Sequence, residues 1–183
     1  SISSAAILFR ILKRLNKKPG LIVSKFNFEV DEETLQKVKN FKNITITDIG
    51  DTPEERINKI EKNVLIIDHH LPKKYNHTYV NPRIFKKDVY MPASYITWLI
   101  YRHFFNDSKI DWIAGIGTLG DFGIKENQLL YYSIKENYPE LIDDVECEDR
   151  ILIEKSLLGE LTKAIDSCRI FGGLKGILHA TKK

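Results

Sequence analysis

Short apolar runs that stop dead at an acid constrain this chain more than any other feature. Val64-Leu65-Ile66-Ile67 runs straight into Asp68-His69-His70, and Ile44-Thr45-Ile46-Thr47 runs into Asp48. The first run reads as a buried strand and the second as a β-branched strand. Helical patterns lie between and around them. Ile2 to Leu15 is apolar at its start, turns basic at Lys13, Arg14, Lys17 and Lys18, and is stopped by Pro19-Gly20. Leu21 to Ser24 reads as a further short strand and Asp31 to Phe41 as an amphipathic helix begun by an acid. Thr52-Pro53-Glu54-Glu55 carries the pattern of a helix cap with proline in the first turn. Strands separated by helices predict an α/β fold, a parallel sheet with helices on both faces.

The second half of the chain is helical in pattern. Pro92 to Phe105 carries Tyr95, Trp98, Leu99 and Tyr101, and its aromatics read as core within an apolar helix. Trp112 to Leu119 ends in Gly120-Asp121-Phe122-Gly123, and Asp149 to Ile170 reads as one amphipathic helix with Gly172-Gly173 as its C-cap.

With 183 residues, 43% of them hydrophobic, the chain can bury one good core. A net charge of +3 excludes a strong overall field for nucleic acid or membrane. Lys73-Lys74 and Lys86-Lys87 then read as solvated surface. Cys147 and Cys168 lack the spacing of a disulfide framework or a zinc site, which points to a reducing interior and two ordinary thiols. No apolar run reaches the length of a membrane span and no signal-peptide core stands at the start, so the expectation is a soluble, cytoplasmic protein.

Parallel sheets place ligands beyond the carboxyl ends of their strands. Asp48 and Asp68-His69-His70 end strands, and Asp121 ends a helix at a glycine-flanked break. Taken alone, Asp48 is more simply a helix cap and Asp121 a turn residue. Two histidines after an aspartate behind a buried strand are harder to dismiss. His77, His103 and His179 read as incidental. Carboxylates and imidazoles gathered at one crevice repel or desolvate one another unless cations lie between them, and oxygen with nitrogen ligands suits manganese, magnesium or zinc. A two-metal site for phosphoester hydrolysis follows as the hypothesis.

"IIDHHLP" resembles the signature of the DHH phosphoesterase superfamily, which includes RecJ exonucleases, oligoribonucleases and family II inorganic pyrophosphatases. "ITITDIGD" is similar to that family's second motif, "MPASYITWLIYRHF" to the helix after the signature strand, and "AGIGTLGDFG" to the fourth motif. The resemblance covers about residues 1–124, with 125–183 as a helical extension. It implies Asp48 as a carboxylate bridging two metals, and His69 and Asp121 as ligands of one of them. Asp68 would orient an imidazole and His70 would face the scissile phosphate, so that Asp68 and His70 form the catalytic pair. Manganese or magnesium would be the cofactor.

Two departures shape the functional expectation. Family members begin with a strand ending in His-x-Asp-x-Asp directly before a helix like "SISSAAILFRILKRL", and that strand is not seen here, so half of a two-metal site is degenerate or outside the sequence in view. The glycine-rich DHH-associated C-terminal domain that clamps substrate is not seen either. The chain resembles in this respect the RecJ-like proteins of archaeal replication and the RecJ-like subunit of the eukaryotic replicative helicase. That resemblance implies a scaffold binding the GINS complex and, with the MCM helicase, DNA, with single-stranded DNA as a further contact. The alternative is an active manganese-dependent exonuclease on single-stranded DNA or an oligonucleotide phosphodiesterase, while an inorganic pyrophosphatase fits less well.

Overall fold

Ser1 begins the first helix, α1 (Ile2–Arg14), by accepting the amide of Ser4 on its side chain. Ser3, Ser4, Ile7 and Ile11 form the buried stripe, and Lys13 and Arg14 occupy the last turn, where the helix dipole favours cations. The computed structural model describes residues 1–23, 30–50 and 52–180. Leu21 to Val23 form no strand, and Ser24 lies outside the described residues. Leu21 and Val23 are exposed, so this run lacks the burial that holds a parallel strand together.

Helix α2 (Glu32–Val38) is capped by the Asp31 carboxylate, which accepts the Thr34 amide at 2.7 Å. It stops short of Phe41, which is exposed. Three parallel strands follow in spatial order: β1 (Asn43–Thr47), β2 (Asn63–Ile67) and β3 (Thr78–Val80). β1 pairs with β2 from Asn43 opposite Asn63 to Thr47 opposite Ile67, so both strands end level. β3 pairs only from Leu65 opposite Thr78 to Ile67 opposite Val80. Its three residues, two of them exposed, carry too little pattern to read as a strand in advance.

Between β1 and β2 lies α3 (Glu54–Asn58), whose cap differs from the expected one. Pro53 stands at the N-cap and makes no side-chain bond, because the Thr52 hydroxyl instead accepts the buried amide of Val30 at 2.8 Å. That bond ties the chain before α2 to the turn after β1. Ile44, Val64 and Ile66 pack with Val30, Ile49 and Ile57 on one face of the sheet, under α2 and α3. On the other face the Ser4 hydroxyl of α1 donates to Thr47 Oγ1 at 3.0 Å.

The larger core is helical. Helices α4 (Ala93–Phe104) and α5 (Asp111–Gly120) pack against α1 and each other; α5 also packs against α6 (Gln128–Asn137), α8 (Asp149–Lys155) and α9 (Leu157–Ala180), and α7 (Pro139–Ile142) packs against α6 and α9. Tyr95, Trp98 and Tyr101 are core as expected, whereas Leu99 points outward. Leu130, Ile134, Leu152 and Leu158, beyond residue 124, belong to the same cluster as Ile7 and Leu119. The fully buried Asp111 is satisfied within it by Trp98 Nε1 at 2.7 Å and the Ser133 hydroxyl at 2.6 Å.

The single helix expected over Asp149 to Ile170 is two. Ser156 is extended; its hydroxyl donates to Leu152 O at 2.6 Å and accepts the Gly159 amide at 3.0 Å, closing α8 and opening α9 with one side chain. A Cβ on Gly159 would meet Leu152 O at 2.3 Å, so only glycine lets the two helices meet this closely. Gly172-Gly173 is not a C-cap: α9 continues through it to Ala180. Both cysteines are free and half-buried, and no helix among the described residues is long and apolar enough to cross a membrane.

Arg14 closes the far end of α1 onto α4. Its guanidinium donates to Asp107 Oδ2 at 2.6 Å, while the Tyr101 hydroxyl donates to Asp107 Oδ1 at 2.7 Å. Burial works against the charged Asp107 carboxylate, but these bonds win and bring it down to about 2. A carboxylate depressed in the folded state stabilises above its ordinary value and loses that contribution as pH falls through the folded one. Acid titration between about pH 4 and pH 2 is therefore expected to lower the Tm of the native chain more than that of Asp107→Asn, as followed by circular dichroism.

Candidate metal centre

Because β1 and β2 end level, the residues that follow them emerge side by side. Asp48 still donates its amide to Ile67 O at 2.9 Å, and Asp68 donates its own to Val80 O at 3.1 Å. The ladders thus hold both positions rigidly up to the site. Asp48 then takes left-handed backbone, φ 59°, which aspartate tolerates better than most residues. Asp121 arrives from the other core as the C-cap of α5.

The imidazole of His69 lies between the two carboxylates. Its Nε2 is 3.2 Å from Asp48 Oδ1 and 3.9 Å from Asp121 Oδ2. Asp48 also receives the backbone nitrogen of Ser1. Burial pushes the Asp48 carboxyl up, while the hydrogen bond and charge of His69 hold it below the usual range. Asp121 moves the other way, raised first by burial and then by the charge of Asp48. One acid charged and its neighbour pushed toward neutrality is what two buried carboxylates do without a cation between them.

His70 faces a separate partner. Its Nδ1 lies 2.7 Å from Asp68 Oδ1, and Asp68 is 2% exposed. The bond to Asp68 outweighs desolvation and raises the His70 pKa. A Cβ on Gly50 would meet the His70 ring at 2.6 Å, so the loop after β1 packs directly on the imidazole.

Three residues not singled out as site residues from sequence hold this arrangement. Lys73 is no solvated lysine: its ammonium donates to Gly50 O at 2.5 Å and Thr52 O at 2.9 Å, pinning the two loops together. Asn81, 1% exposed, donates to His70 O at 3.0 Å. Tyr90 sets its ring edge against His69, centroids 5.6 Å apart, and donates its hydroxyl to Asp121 O at 2.6 Å. Burial and the charge of Asp121 push the phenol up to about 12, so it acts as a donor.

The residues fit a divalent cation on an observation independent of motif. Asp121 Oδ2, the oxygen that faces His69 Nε2, is buried with no hydrogen-bond partner among the described residues, a cost of about 1–3 kcal/mol that native structures seldom leave unexplained. Asp48, His69 and His70 offer ligating atoms within 4.8 Å of one another. Since His70 Nδ1 is committed to Asp68, Asp121 with its orphaned oxygen is the better third ligand beside Asp48 and His69.

A model of the DHH family, N-terminal domain, matches residues 1–120. The chain belongs to the DHH family. No curated protein matches it. DHH phosphoesterases depend on divalent metal, and the Asp48, His69 and His70 cluster, with Asp121 beside it, is the candidate place for such an ion here. Replacing Asn81 with alanine in this DHH domain is expected to weaken Mn²⁺ binding about tenfold by calorimetry, because supporting residues of metal sites carry effects of that order.

Proposed function

We propose that this DHH chain is a RecJ-like protein of DNA replication, cytoplasmic, acting mainly as a scaffold that binds GINS in a replicative helicase complex with MCM. It is supported by the DHH family match over residues 1–120 and by the resemblance of the chain's motifs to those of the RecJ-like replication proteins. Asp48, His69 and Asp121 would hold manganese or magnesium. A bound ion there would supply positive charge to phosphate oxygens and acidify a bound water. Asp68 orients the His70 ring, and His70, kept protonated to higher pH than usual, can donate to a phosphate oxygen.

That same Asp68–His70 pair favours a second reading, a manganese-dependent exonuclease or oligonucleotide phosphodiesterase, since an oriented imidazolium is also a proton source for a leaving alkoxide. Incubation with single-stranded DNA across a manganese titration separates the two. The scaffold reading expects no cleavage together with association with GINS at micromolar concentration. Cleavage that requires metal and vanishes in His69→Ala would defeat it.

A further inference from the structure

Immediately beyond the metal centre, three large apolar side chains stand in solvent. Leu71, Ile84 and Phe85 are 72%, 49% and 91% exposed. They are brought together by hydrogen bonds and do not belong to a loose loop. Asn81 donates to His70 O at 3.0 Å and accepts the Arg83 amide at 2.9 Å, joining the segment after His70 to the turn that carries Ile84 and Phe85. That turn is closed by the Phe85 and Lys86 amides on Pro82 O and by Arg83 Nε on Lys87 O at 3.1 Å. Next to it, β3 is the edge of the three-stranded sheet, with Val80 exposed.

Charge along the segment that carries the patch is strongly biased to one sign. Lys74, Arg83, Lys86 and Lys87 flank it, and between Leu71 and Asp88 the sequence holds no other acid than Asp88 itself. None of these four cations forms an ion pair with a described residue, in contrast to Lys13's neighbour Arg14 or to Lys125, which are paired. Fixed apolar side chains ringed by unneutralised cations favour a partner with large apolar side chains among carboxylates.

We propose that Leu71, Ile84 and Phe85, with Lys74, Arg83, Lys86 and Lys87, form the docking surface for an acidic, apolar-studded segment of a partner protein. The inference rests on the scaffold reading and gives it a surface. Leu71 directly follows His70, so a partner seated here lies beside the metal centre.

The test measures binding of the GINS complex to the full chain by calorimetry, at two salt concentrations, for the native protein, Phe85→Asp and the pair Lys86→Glu with Lys87→Glu. These residues are exposed, so folding is expected to be unchanged, and Mn²⁺ titration of each variant checks that the site is intact. The expected result is binding that weakens with salt and falls about tenfold or more in both variants, as for central residues of an interface, with Mn²⁺ affinity unaltered. Native binding that both variants retain would overturn the surface and leave the scaffold standing. A native chain that binds no GINS would overturn both. Sedimentation showing a native dimer made monomeric by Phe85→Asp would assign the patch to a second copy of this chain and overturn the acidic partner.

Discussion

His69→Ala is expected to abolish Mn²⁺ binding, with affinity reduced by at least about 100-fold in calorimetry, beyond what loss of a supporting residue costs. Nε2 of His69 is the atom between the two carboxylates, 3.2 Å from Asp48 and 3.9 Å from Asp121. Removing it leaves two buried acids with no intervening donor, and the hydrogen bond that counts most in lowering Asp48 is gone. Asp121, already raised by burial and by Asp48, gains nothing to offset this. His69 follows the end of β2 instead of packing within the sheet, so a folded variant with lost binding is expected, its fold checked by circular dichroism. Retained Mn²⁺ affinity in a folded His69→Ala protein would show that the ion, if bound, sits elsewhere.

Gly117→Val is expected to do the opposite, destabilising the whole domain by about 3 kcal/mol, a Tm loss of roughly 10 °C. A Cβ at Gly117 would fall 2.5 Å from Ser3 Cβ and 2.7 Å from Ser94 Cβ, where α5 crosses α1 and α4 at once. Neither neighbour can swing aside as a long side chain could. Ser94 Oγ is bonded to Thr118 Oγ1 at 3.0 Å, and Ser3 belongs to the turn that places Ser1 against Asp48 and Ser4 against Thr47. Weakened cation binding should accompany the lost stability, because the α1 end of the site must move. Gly120→Ala provides the contrast. A Cβ there would meet only Thr162 Cγ2 at an ordinary 3.5 Å, and the change is expected to be neutral or stabilising by up to about 1 kcal/mol in thermal melts.

Much of the fold could be read from local pattern. Ile44 to Thr47 and Val64 to Ile67 announced strands by being short and β-branched or apolar, though only β2 is mostly buried, and the aromatic stripe of Tyr95, Trp98 and Tyr101 announced a core helix. Leu21 to Val23 looked similar and forms no strand, with Leu21 and Val23 exposed, and Thr52 looked like a cap but serves Val30. Burial and a distant amide decided these, and neither is visible in a window of a few residues. β3 was missed for the converse reason: three mostly exposed residues become a strand only because β2 offers them an edge.

For the centre itself, the sequence determined which chemical groups exist and that Asp48 and Asp68 follow strands, because strand-ending acids and paired imidazoles are local facts. Tertiary structure alone decided that Asp121, carried on a helix 52 residues beyond His69, faces that imidazole, and that Lys73, Asn81 and Tyr90 brace the loops. A ligand set is a matter of distances of a few ångströms between segments far apart in the chain, and such distances are set by how β1, β2 and α5 pack, through level strand ends and a helix crossing that only Gly117 permits.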